Sequence, residues 1–258
     1  MRELVLAVVA ACCLLTCVDI GMAAAASGGR QCPSPGADPG AASAVVLQRA
    51  ILAADSLRIV CLGSSSTQGV GASGPAATYP ARLGALLAKR LPGRPVEVVN
   101  KGIGGETVAD NVARLGRDVA LLKPGLVVWQ VGTNDALRGL DPAVVRAGLL
   151  DGIARIRAAG AEVVLMDPQP LNHARGEAVA AMARLVREVA AEAKAPLLSR
   201  HAAMRRWLAE GAVTPASLYA PDGLHMADAG YDCLAQAVAD LLVPPPRDMA
   251  AAVAAARR

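Results

Sequence analysis

The sequence contains no phenylalanine, and two tryptophans and three tyrosines bring its aromatic share to only 2%. So few flat rings leave little on which nucleic-acid bases or sugar rings could stack. Histidine is almost as scarce, with three in 258 residues. Chemistry that needs an imidazole must therefore use His173, His201 or His225. Neither charge sign dominates, since 26 Lys and Arg stand against 22 Asp and Glu. The arginines are scattered among alanines at helical spacing, the pattern of solvated helix faces, and form no stripe that would track a nucleic-acid backbone. There is no internal repeat and no sign of a second domain. What the sequence has in plenty is apolar: 54% of its residues are hydrophobic, enough to bury one large core.

The amino terminus, "MRELVLAVVAACCLLTCVDIGMAAAASGG", reads as a secretory signal. Arg2 supplies the positive start, residues 4–18 the apolar run, and Met22–Ala26 the small residues that suit signal peptidase. Asp19 interrupts the run before it reaches the roughly 20 residues of a membrane span. Residues 1–26 are thus expected to be removed and the chain exported, to the periplasm or beyond the cell, with no stable membrane span. A lipid anchor on Cys12, after Val9-Ala10-Ala11, is the lesser option. Cys12, Cys13 and Cys17 would leave with the signal. Cys61 lies in an apolar strand and reads as an inert buried thiol. Cys32, in the Pro/Gly-rich "QCPSPGADPG", and Cys233, in the last helix, are expected to form a disulfide in an oxidising compartment.

Residues 27–56 read as an arm with a short helix, 57–243 as the domain, and 244–258 as a peripheral tail after "PPPR". Within the domain, short apolar runs at 58–62, 96–100, 126–131, 162–167 and 196–199 alternate with helical patterns. Those patterns lie at about 79–91, 107–122, 142–159, 176–194, 201–210 and 227–242. Strands alternating with helices predict a single three-layer α/β/α domain around a five-stranded, mostly parallel sheet of flavodoxin-like type. In such sheets the ligand site lies off the carboxyl ends of the strands. Polar and glycine-rich clusters follow in turn: Gly63-Ser64-Ser65-Ser66-Thr67, "NKGIGGET" at 100–107, Gly132-Thr133-Asn134-Asp135, "PQPLNHARG" at 168–176, and Asp222-Gly223-Leu224-His225.

The first cluster admits two readings. Gly69-Val70-Gly71-Ala72-Ser73-Gly74 has the spacing of a dinucleotide-binding loop, but six residues separate it from the strand. The helix is delayed until about Tyr79, and the second strand ends in Asn100 where an acidic residue should meet the ribose. The glycines then read as a flexible active-site loop. The alternative places a nucleophile among Ser64, Ser65 and Ser66, which needs a base and an orienting acid. His201, at the start of an amphipathic helix, is expected at the surface. His173, in the loop after the fourth strand, could line the site, although an ordinary loop histidine is the plainer reading. His225, three residues after Asp222, can be held by that carboxylate on one ring nitrogen while the other faces a serine. Asp222 as a mere cap of the last helix is the plainer reading of that pair. Trp129 and Trp207 are expected in the core.

Together the blocks resemble the SGNH hydrolases, also called the GDSL esterase/lipase family, over roughly residues 57–242. "GSSST" is similar to the nucleophile block G-D-S-x-T, "GIGGET" to the glycine block, "GTND" to the asparagine block and "DGLH" to the D-x-x-H block. The resemblance implies Ser65 as nucleophile, His225 as general base and then acid, and Asp222 as the residue that orients it. It implies an oxyanion hole made of the Ser65 and Gly105 backbone N–H groups and the Asn134 amide. Ser64 stands where the family has Asp, which puts the support of the nucleophile turn in question but not the triad. No nucleotide, metal or other cofactor is implied. The implied activity is a serine esterase, expected to be a monomer, acting on small-molecule or glycan acyl esters, short or acetyl groups first and lysophospholipid-like esters next. An acyltransferase acting on envelope glycans and a non-catalytic binding module are the alternatives.

Overall fold

The computed structural model describes residues 32–33, 41–171 and 175–245. The expected signal segment with Cys12, the loop residue His173 and residues 246–258 of the tail lie outside them. In chain order the elements are α1 (Ala41–Ala53), β1 (Leu57–Gly63), α2 (Ser65–Gln68), α3 (Tyr79–Arg90), β2 (Val96–Gly102), α4 (Val108–Ala113), α5 (Leu115–Asp118) and β3 (Leu126–Gln130). There follow α6 (Thr133–Leu137), α7 (Pro142–Ala158), β4 (Glu162–Met166), α8 (Gly176–Glu192), β5 (Leu197–Leu198), α9 (Arg200–Ala209), α10 (Pro215–Leu218) and α11 (Asp228–Leu242).

The five strands form one sheet in the order β2-β1-β3-β4-β5, and every pairing is parallel. Strands β1, β3 and β4 are covered on both faces, which is why they read as continuous apolar runs. Ile59, Cys61, Val128 and Met166 point into a core with α1, α3, α9 and α11. Val60, Leu62, Trp129 and Leu165 alternate to the other face, against α4, α5, α7 and α8. Trp129 and Trp207 are both fully buried. This is the three-layer α/β/α domain that the alternation of elements predicts.

The pattern at 107–122 is not one helix. A capping box between Thr107 and Asp110 starts α4, and Arg114 then leaves helical geometry (φ −106°, ψ 6°). Its guanidinium turns inward to the carbonyls of Gly63 and Lys101, at 3.1 and 2.8 Å. Gly116, a weak helix former, follows within α5. Helices α2, α6 and α10 have four or five residues each, too few to register as periodicity.

Cys32 and Cys233 are joined by a disulfide, with their Cα atoms 5.3 Å apart. The same corner is held by Trp207 Nε1 donating to Pro33 O at 2.9 Å and Gln48 Nε2 donating to Leu241 O at 2.8 Å. Cys61 is fully buried, and desolvation pushes its thiol up to about 12, so it is inert as expected. No helix among the described residues is long and apolar enough to cross a membrane.

Candidate active site

Strand β1 ends at Gly63, where a side chain would collide with the Thr67 hydroxyl and the Gln130 amide. The chain turns there into α2, whose first residue is Ser65. Ser64 and Ser66 are buried, while Ser65 is partly exposed. Ser64 occupies the position of the Asp in G-D-S-x-T, and Gln130 of β3 meets it. Gln130 Oε1 accepts from Ser64 N at 2.9 Å, Ser64 Oγ at 3.1 Å and Thr67 Oγ1 at 3.2 Å. One neutral amide oxygen therefore gathers three donors of the turn. Nothing in the first cluster foretold Gln130, although a glutamine inside the apolar run "LVVWQV" is itself a signal.

His225 sits in a tight loop closed by an antiparallel bridge between Tyr219 and Met226. Ala220 N donates to His225 O at 2.8 Å across it. Asp222 Oδ1 accepts from the backbone N–H groups of Leu224 and His225, both at 2.9 Å, and Oδ2 lies 2.5 Å from His225 Nδ1. Burial raises the Asp222 pKa, but the bonds from the imidazole and the two N–H groups outweigh it and bring it down to about 2. Helix α11 begins only at Asp228, with Ala227 as its N-cap, so Asp222 serves the histidine rather than the helix. His225 Nε2 lies 2.8 Å from Ser65 Oγ. Serine, histidine and aspartate thus form a continuous hydrogen-bonded row.

The first turn of α11 fastens the loop after Ser65 to the histidine loop. Asp228 accepts from Ser73 N at 2.8 Å and Ser73 Oγ at 2.6 Å, and Tyr231 Oη donates to Val70 O at 2.6 Å. At Gly71 (φ +89°) an added Cβ would stand 3.2 Å from His225 Cβ and strike Met226 O. Within the stretch expected to be a flexible active-site loop, Gly71 allows two loops to touch.

The residues expected to hold an oxyanion come from the next two strand ends. Gly105 is exposed and left-handed (φ +81°), and Arg138 Nη2 donates to its carbonyl at 2.6 Å. Asn134, in α6, donates from Nδ2 to Glu106 O at 2.8 Å, next to Gly105. Gln68 Oε1 accepts from Gly104 N at 2.8 Å, which ties the glycine block to the serine helix. Beneath it, Glu106 Oε2 accepts from Asn111 Nδ2 at 2.6 Å and Arg114 Nε at 2.7 Å. His201, expected at the surface, is half-buried. Its N–H donates to Asp167 Oδ1 at 2.8 Å, because the start of α9 packs against the end of β4.

A family model described as the non-GDSL lipase-like family matches residues 35–245. The chain belongs to the non-GDSL lipase-like family. That description agrees with Ser64 standing where G-D-S has its aspartate. Esterase TesA of Pseudomonas aeruginosa is 35% identical over 162 residues, which are 62% of this chain and 77% of that protein. Acetylxylan esterase of Geobacillus stearothermophilus is 29% identical over 198 residues, 68% of this chain and 85% of its own. Among solved structures, an α/β hydrolase enzyme from the Lake Arreo metagenome superposes with a TM-score of 0.65 at 28% identity, over 74% of this chain and 97% of that one. These likenesses make the family member an enzyme of the carboxylic ester hydrolase class, of SGNH type.

Proposed function

We propose that this family member is an exported serine esterase that works through Ser65, His225 and Asp222. The observation that carries the reading is the row Ser65 Oγ–His225 Nε2–His225 Nδ1–Asp222 Oδ2, with steps of 2.8 and 2.5 Å. His225 Nε2 takes the proton as Ser65 Oγ attacks the ester carbonyl. The Ser65 and Gly105 N–H groups and the Asn134 amide receive the negative charge that develops on the carbonyl oxygen. His225 then gives its proton to the departing alcohol, which leaves Ser65 acylated. A water loses a proton to the same nitrogen, attacks the acyl carbon, and the free acid departs as the proton returns to Ser65. Asp222, with its low pKa, stays an anion throughout and stabilises the charged imidazole.

For substrate we favour acetyl and other short acyl esters, on small molecules or extracellular and envelope glycans. Support comes from the likeness to an acetylxylan esterase. The signal-like amino terminus and the Cys32–Cys233 disulfide support export. The test compares the chain lacking residues 1–26 with its Ser65→Ala variant, on p-nitrophenyl acetate, butyrate and octanoate and on a fluorophosphonate label. The wild type should take the label and turn over acetate fastest. The variant should take no label and lose about 10⁴-fold or more in kcat. A wild type that neither labels nor hydrolyses would overturn the proposal.

A further inference from the structure

One buried polar side chain in this region has no part in the chemistry above, yet it touches both loops that do. Gln169 lies just past β4, between Pro168 and Pro170, and is 1% exposed. Its Oε1 accepts from the Thr133 hydroxyl at 3.1 Å, and its Nε2 donates to Leu224 O at 3.0 Å. Thr133 immediately precedes Asn134, and Leu224 immediately precedes His225. The flanking prolines bind the same two loops. The Pro168 ring packs on Gly132, where an added Cβ would come within 3.1 Å of it, and Pro170 O accepts from Tyr219 Oη at 2.8 Å. Upstream, Arg200 Nη2 donates to Thr133 Oγ1 at 3.5 Å. The donors run one way, from guanidinium to hydroxyl to amide to carbonyl, an arrangement in which each bond polarises the next. Proline on both sides restricts the backbone that carries the amide.

We propose that Gln169 is a positioning residue that sets the oxyanion-side loop of Asn134 and the loop of His225 in register with each other. This inference rests on the esterase reading above. A glutamine suits the task because one end accepts while the other donates, so it can join a hydroxyl to a carbonyl. Its loss would leave each loop intact but free to shift relative to the other. Misplacement of a catalytic group by about 1 Å can cost on the order of 10²-fold in rate.

The experiment measures kcat per active site, counted by fluorophosphonate titration, so that misfolded enzyme does not enter. Gln169→Met keeps the bulk and removes both polar ends. We expect kcat per titrated site to fall roughly 10- to 100-fold with KM little changed. Thr133→Val/Gln169→Met also removes the hydroxyl whose proton the single variant leaves without an acceptor, so it should recover part of the lost thermal stability, the remainder being offset by the 3.5 Å contact that Arg200 Nη2 loses. Its kcat should stay low, because the loops are still uncoupled. A purely structural role predicts the opposite: wild-type kcat per site in the single variant, or recovery of stability and kcat together in the double. Either result would overturn the role of Gln169 alone. Turnover near the wild-type rate in Ser65→Ala would overturn Ser65 as the nucleophile of the proposed reaction, and this inference with it.

Discussion

Two buried carboxylates, at opposite ends of the sheet's carboxyl edge, shift in opposite directions. Asp118, below the ends of β1 and β2, is met by Arg114 Nη1 at 2.7 Å, Arg117 Nη2 at 2.8 Å and Lys101 Nζ at 3.4 Å. The Arg117 hydrogen bond, with the Arg114 and Lys101 charges, holds it well below the usual carboxylate range despite its burial. Asp167, at the end of β4, accepts from Ser199 Oγ at 2.9 Å and His201 N at 2.8 Å. The guanidinium of Arg200 lies beside it but bonds its backbone oxygen, at 3.0 Å. Burial wins there and pushes Asp167 up to about 7. Desolvation acts on both, and direct cationic partners decide the sign. The β2 flank of the candidate site is therefore braced by ion pairs, and the β4 flank by mostly neutral hydrogen bonds.

The comparison can be broken first at the two arginines. Arg114→Met would leave Glu106 with the Asn111 amide but no cation and strip Asp118 of one partner, and should cost about 3–5 kcal/mol in urea unfolding. Arg200→Met should cost distinctly less. Its charge is fully buried, its Nη1 has no hydrogen-bond partner, and no carboxylate depends on it for direct contact. Removing such a cation relieves a desolvation penalty that its bonds repay only in part. An Arg200→Met loss equal to that of Arg114→Met would show the two flanks to be alike.

Asn134 stands where the flanks meet, with its amide on Glu106 O and its neighbour Thr133 on Gln169. Asn134→Ala should lower kcat by about 10²–10³-fold with little change in unfolding midpoint. A loss confined to KM would remove Asn134 from the oxyanion role.

Much of this arrangement was legible in the sequence, and for a local reason. In a parallel sheet every strand's carboxyl end faces the same edge, so the clusters around Ser65, Gly105 and Asn134 fall to one site from their places after successive strands, with Asp222–His225 just before the last helix. The single residues and their roles come from the resemblance to the SGNH hydrolases. Asp222 and His225 lie three residues apart, and a short turn is enough to join them. The groups that went unseen act across the chain. Gln130 reaches the serine turn from 66 residues away, and Gln169 spans 36 residues to Thr133 and 55 to Leu224. No spacing rule covers such pairs, and each shows only as a polar residue in or just after a buried strand. The break at Arg114 was hidden likewise, because the carbonyls that draw it inward belong to β1 and β2.

The last prediction concerns how stability depends on pH at the β4 flank. An unfolded aspartate titrates near 3.9, and Asp167 in the folded chain near 7. Between those values the folded chain holds a proton that the unfolded chain has released. Stability contributed by this group therefore falls as pH rises from about 4 to about 7, by at most roughly tenfold in the folding equilibrium per pH unit. Asp118 has the opposite sign, since its depressed pKa gives stability above about 4 that is lost in stronger acid. Asp167→Asn removes the first slope and leaves the second. Urea midpoints at pH 4.5, 5.5 and 6.5, a range chosen to lie between the two titrations, should show the variant gaining on the wild type at each step. A constant gap would mean that Asp167 is ionised across the range, with the Arg200 charge acting on it as fully as Arg114 acts on Asp118.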